Sequence, residues 1–95
     1  MELPFDEKFE GGFYVRTFSE DLIEEDLQWH WDQESRIVVC ESETDWLFQY
    51  DNQLPIKLQK NKPIYIAEGE YHRLIKGTGN LTLKVKKLIS EESKT

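Results

Sequence analysis

The sequence predicts an all-β chain of two antiparallel sheets closed into one small barrel. Three observations carry that expectation. Runs of β-branched, aromatic and alternating apolar residues recur along the chain, clusters of turn-forming residues separate them, and no stretch keeps a helical period. About seven or eight short strands spaced in this way form the pattern of a sandwich or barrel. The 95 residues suit one domain, with a modest core that pairing with a second copy would enlarge.

Residues 1–12 read as a loose N-terminal arm ending in the Gly11–Gly12 pair, 13–89 as the barrel, and 90–95 as a charged, frayed tail. "FYVRTF" at Phe13–Phe18 is rich in β-formers. Ser19 can cap one helical turn in "SEDL". Leu27–Trp31 alternates strictly and reads as a strand, with Leu27, Trp29 and Trp31 on one face and Gln28, His30 and Asp32 on the other. "DQES" turns, and "RIVVCE" suits a buried strand. "WLFQY" at Trp46–Tyr50, "LPIKLQ" from Leu54, "PIYIA" from Pro63 and "YHRLIK" from Tyr71 supply further strands, split by "DNQ", "KNK" and Glu68-Gly69-Glu70. "GTGN" reads as the turn of a hairpin into "LTLKVKKLI", whose Lys84, Lys86 and Lys87 could blunt an edge strand.

Charge and composition exclude several functions. A net charge of −7 lacks the clustered Lys and Arg that phosphate neutralisation needs, so nucleic acid is not expected as a partner. Nor is an anionic membrane surface, and no run approaches the length of a membrane span. Met1–Phe9 is acidic without the apolar segment of a signal peptide, and the single cysteine, Cys40, allows no internal disulfide. Both features predict a cytoplasmic protein. There is no G-x-S-x-G, no Cys-His pair with an orienting acid and no phosphate-binding Gly loop.

The ligand-type residues of "WHWDQESR" stand out instead. Period-two geometry puts His30 and Asp32 on one face, their Cα atoms about 7 Å apart, so both side chains can converge on one ion. The other histidine of the chain, His72, would complete a two-His, one-carboxylate set with positions left open. H-x-D is a short pattern that also arises by chance, and a His paired with a nearby acid is the competing reading. Cys40 is a further zinc-ligand candidate or a small buried hydrophobe. Arg36 either pairs with Asp32 or Glu34, or holds the carboxylate of a small acid. Trp46, Phe48 and Gln49 are candidate ligand contacts, with core packing for the aromatics and an outward, solvated Gln49 as the alternatives.

From Tyr14 to about Leu88 the chain resembles a small single-domain cupin, a double-stranded β-helix barrel of the RmlC-like superfamily. The first cupin motif reads G-x5-H-x-H-x3,4-E-x6-G: His30 fills its first His, Asp32 replaces the second, Arg36 falls at the Glu and Ser42 at the closing Gly. The second motif reads G-x5-P-x-G-x2-H-x3-N: Asn61 and Ala67 replace its first Gly and its Pro, Gly69 and His72 are retained, and Lys76 stands for Asn. The resemblance implies the barrel, and a metal site at His30, Asp32 and His72 holding Fe, Mn, Ni or Zn. Two functions remain open: a metal-dependent enzyme or metal-assisted binder of a small molecule, such as a carboxylate, and a metal-free cupin serving as a binding or assembly module. A homodimer is also expected, since three Trp, five Phe and four Tyr exceed what one small barrel easily hides, with Trp29 and Trp31 as the contact.

Overall fold

A computed structural model describes residues 4–88. Its strands are β1 (Asp6–Glu10), β2 (Phe13–Phe18), β3 (Ser35–Cys40), β4 (Leu47–Tyr50), β5 (Ile56–Lys57), β6 (Ile64–Ile66), β7 (His72–Ile75) and β8 (Leu81–Leu88). They form a five-stranded sheet in the order β1-β2-β8-β3-β6 and a three-stranded sheet in the order β5-β4-β7. All named strand pairs are antiparallel. The all-β expectation of two antiparallel sheets therefore holds. Among the described residues no helix is long and apolar enough to cross a membrane. The expected tail, 90–95, lies outside the described residues.

The core follows from alternation. Leu81, Leu83 and Val85 of β8 are buried, while the residues between them are not. The register sets Phe18 of β2 opposite Leu81, and Val38 and Cys40 of β3 opposite Val85 and Leu83. Those residues make one continuous inner face. Trp46, Phe48, Leu58 and Ile66 join them in the buried core. At one end Trp46 is wholly buried, tilted against Phe18 at 6.2 Å between ring centroids, and its indole N–H donates to Gly79 O at 3.0 Å.

Four local expectations are corrected. The arm is not loose at Asp6–Glu10, which pairs with β2 along its length. Gly11 and Gly12, both at positive φ, make the two-residue turn that strand twist favours and other residues resist. Leu27–Trp31 is not a strand: a 3₁₀ turn at Glu24–Asp26 brings the chain in, and His30 then makes a single bridge to His72. "GTGN" is no hairpin, because it carries the chain from β7 in the small sheet to β8 in the large one. β8 lies between β2 and β3, so Lys84, Lys86 and Lys87 guard no edge. The edges of that sheet are β6 and β1, the latter with all five residues exposed.

Candidate functional site

At the other end the two sheets part around a cavity of about 400 Å³. His30, Asp32, Arg36 and His72 line it together with apolar core residues. Each polar group arrives by a separate structural route. His72 opens β7, after a turn at Glu68-Gly69-Glu70 in which Gly69 takes φ 77 and Glu70 N–H donates to Ala67 O at 3.1 Å. The positive φ explains why glycine stands there. Arg36 lies on β3, four residues before Cys40 and on the same inner face.

His30 and Asp32 come from the irregular segment after the 3₁₀ turn. Two backbone bonds between His30 and His72, at 3.1 and 3.0 Å, and Gly69 N–H to Asp32 O at 2.8 Å hold that segment beside β7. One bridge suffices to keep the side-chain alternation. His30 and Asp32 line the cavity, while Trp29 and Trp31 are exposed. Arg73, the residue after His72, places its guanidinium 4.6 Å from the centre of the Trp29 ring, outside the barrel.

The histidines have defined tautomers. His72 Nδ1 lies 2.8 Å from Glu70 O, and His30 Nδ1 lies 3.2 Å from Gln28 O. A carbonyl oxygen only accepts, so each Nδ1 carries the hydrogen and each neutral ring keeps a lone pair at Nε2. Burial pushes the His72 pKa below the ordinary imidazole value, against the opposing pull of its bond to Glu70 O. The neutral form therefore persists to lower pH than for a free imidazole. Phe48 stacks on the His72 ring at 5.7 Å and 23°, and His30 meets it edge-on at 4.2 Å.

Asp32 divides its two oxygens between neighbours. Oδ1 lies 3.4 Å from Arg36 Nη2, and Oδ2 lies 3.4 Å from His72 Nε2. With Nδ1 holding the imidazole hydrogen, the second contact sets two lone pairs face to face. Among the described residues two buried side-chain polar atoms have no hydrogen-bond partner, Asp32 Oδ2 and Arg36 Nε, and both lie in this cluster. Such orphans are costly unless something fills them. A cation answers the first. Two ligand atoms each about 2.1 Å from an ion, and about 110° apart around it, sit roughly 3.4 Å from one another. Ligand atoms of His30, Asp32 and His72 all fall within 4.8 Å of one another. Neighbouring ligands around one ion sit about 3.0–3.4 Å apart, so the residues fit a metal after a closure of about 1–2 Å at the widest pair.

The remaining candidates separate. Phe48 lines the cavity, but Trp46 does not: it fills the opposite end of the barrel as core. Gln49 alternates with Phe48 and turns away, donating to Gln53 O at 2.8 Å and accepting from Arg73 Nε at 2.9 Å. Cys40 is buried, points its thiol at Ser42 O at 3.1 Å and is no part of the ligand cluster. Sequence reasoning missed Leu27 and Gln28 at the cavity wall, and it gave Leu58, Leu83 and Val85 no role beyond core. The inward positions of Leu83 and Val85 follow from alternation, but a gap between the sheets leaves no mark in periodicity, and alternation put Leu27 on the face opposite Gln28.

No protein-family model matches the sequence, and no curated protein matches it. Solved structures do resemble it. A cupin domain from Bordetella pertussis Tohama I aligns over 94% of this chain and 99% of its own, with TM-score 0.61 and 13% identity. The Fe(II) form of HppE in complex with substrate aligns over 93% of this chain, with TM-score 0.64 and 12% identity, and this chain spans 55% of its length. A provisionally named mannose-6-phosphate isomerase from Ralstonia eutropha JMP134 aligns over 90% of this chain and 83% of its own, with TM-score 0.61 and 10% identity. The fold is a cupin barrel.

Proposed function

We propose that this cupin barrel binds one divalent transition-metal ion through His30 Nε2, Asp32 Oδ2 and His72 Nε2, and takes a small molecule into the cavity beside it. The observation that carries this reading is the buried, donorless Asp32 Oδ2 facing an Nε2 lone pair at 3.4 Å. Two histidines and one carboxylate with open positions form the set that suits non-haem Fe(II), and Mn, Ni and Zn are compatible with the same donors. The presence of Fe(II) HppE among barrels of this shape agrees with that choice.

Bound there, the ion would act as a Lewis acid on a carbonyl or carboxylate oxygen of the ligand. The chain's own residues do the rest. Glu70 O and Gln28 O fix the two imidazole tautomers. Arg36 holds Asp32 by one oxygen and leaves the other free, the kind of outer contact that orients a metal ligand. Phe48 packs the His72 ring, and the apolar wall keeps bulk water from that side. In this reading the protein is a metal-dependent enzyme or binder of the cytoplasm.

The Asp32–Arg36 contact favours a second reading, a metal-free cupin used for ligand binding or assembly. It leaves Asp32 Oδ2 without a partner unless His72 is protonated, and burial opposes that protonation. Metal analysis of untagged protein separates the two. One equivalent of ion per chain, lost in His72→Ala with the strand signal in circular dichroism retained, supports the first. A metal-free wild type that stays so after reconstitution supports the second.

A further inference from the structure

The second orphan atom points to the ligand. Arg36 Nε is buried without an acceptor, although the same guanidinium reaches Asp32 and Glu34 through Nη2 at 3.4 and 3.2 Å. One N–H of a wall residue of the cavity is thus unused. The charges around it balance: Asp32 and Glu34 face Arg36, and Lys87 reaches Glu34 at 3.8 Å from the far side. An ion at the histidines would leave the cluster positive, so the group that completes it is an anion. One free N–H beside one ion calls for two acceptor oxygens on one small head, which is a carboxylate. Phosphate would leave acceptors unmatched in a dry wall.

Apart from Arg16, Asp26 and Gln28, the rest of the cavity wall is apolar. Val38, Phe48, Leu58, Ile66, Leu83 and Val85 line it. The cavity volume of about 400 Å³ is that of a small-molecule pocket, which typically runs about 300–1,000 Å³. We propose that the ligand is a small organic monocarboxylate, its head shared between Arg36 Nε–H and the ion at His30, Asp32 and His72, its hydrocarbon body lying among those six apolar side chains. The proposal rests on the metal reading above and adds the ligand class to it.

Hexanoate, hexanol and hexylamine share one body and differ in the head. Titrated calorimetrically at pH 7 into zinc-loaded protein, hexanoate is expected to bind. Hexanol should bind at least about tenfold more weakly, the loss of one charged hydrogen bond, and hexylamine not at all. Equal affinity for hexanoate and hexanol overturns the proposal, and that comparison needs no variant. Arg36→Gln, held at a zinc concentration that restores one ion per chain, should weaken hexanoate about tenfold or more, and unchanged affinity in that zinc-loaded variant overturns the role of Arg36. If the wild type takes up no zinc, the metal reading fails separately. Hexanoate titrated into the metal-free chain then decides: binding that Arg36→Gln abolishes sustains the carboxylate assignment, and no binding ends it.

Discussion

The two ends of the barrel are made from the same strands and obey opposite rules. On β3, Cys40 faces one end and Arg36 the other, about 13 Å apart along the strand. Around Cys40 the interior is closed: Trp46 and Leu81 are fully buried, and the Trp46 indole has its acceptor in Gly79 O. Around Arg36 the interior is open, and two buried polar atoms lack partners. Among the described residues, no buried side-chain polar atom at the closed end lacks a partner. The open end breaks the rule that buried polar groups are paired, and it does so where two imidazoles present their lone pairs. Departures of that kind belong to sites where a ligand completes the structure.

Substitutions at each end should therefore separate stability from binding. Trp46→Ala removes a wholly buried indole and is expected to cost about 3–5 kcal/mol in urea unfolding. A loss below about 1 kcal/mol would mean that this end is not the closed core described here. His72→Ala is expected to abolish most metal uptake while lowering metal-free stability far less than Trp46→Ala does.

Asp32→Asn sharpens the contrast further. Its amide N–H can donate to His72 Nε2 across the 3.4 Å contact, and its oxygen can still accept from Arg36. Both partners are then served without an ion. Metal-free Asp32→Asn should be as stable as the wild type or more stable, by about 1 kcal/mol. A large destabilisation would show that the charged Asp32 serves the fold.

Smaller effects are expected at the closed end under acid. Asp45 accepts from Thr78 N–H at 2.8 Å and from Thr78 Oγ–H at 2.9 Å. These bonds, the backbone one foremost, hold its pKa below the usual carboxylate value. The folded state thus binds its proton less readily than the unfolded chain. The stabilisation is fully present above an ordinary Asp pKa of about 3.9 and fades as pH falls through the lowered folded value. Asp45→Asn should flatten that part of the stability–pH curve. An unchanged curve would remove Asp45 from the account.

Much of the fold could be read from sequence because β8 alternates between the core and the other face, as β3 does from Val38 to Cys40. Leu81, Leu83 and Val85 announce an inner face without any structure. His30 and Asp32 were legible for the same reason, since period-two spacing puts both on one side even where no ladder forms. The loss of the expected strand at Leu27–Trp31 was not legible, because residues on that segment alternate as strand residues do while finding only one bridging partner, His72. Trp46 was misplaced for a related reason. Its alternation with Phe48 says that both point inward, but not that one reaches the sealed end and the other the cavity. The orphaned Asp32 Oδ2 and Arg36 Nε depend on three segments meeting, and no local pattern encodes them.

The outer faces give the last and smallest comparison. Trp29 and Trp31 stay exposed beside Tyr71, opposite the polar faces of His30 and Asp32. If a second copy of the chain covers this patch, light scattering at micromolar concentration should give a dimer mass, and Trp29→Ala should shift it toward monomer. A monomer mass for the wild type would leave the indoles on a free surface.

The claim that joins these points is that Asp32 Oδ2 waits for a cation. Equilibrium dialysis of zinc against wild-type protein and Asp32→Asn tests it most directly. The expected result is one zinc per wild-type chain and at least about a hundredfold weaker uptake by Asp32→Asn, in keeping with the loss of a charged ligand. Equal zinc affinity in the two proteins, or none in either, would contradict it.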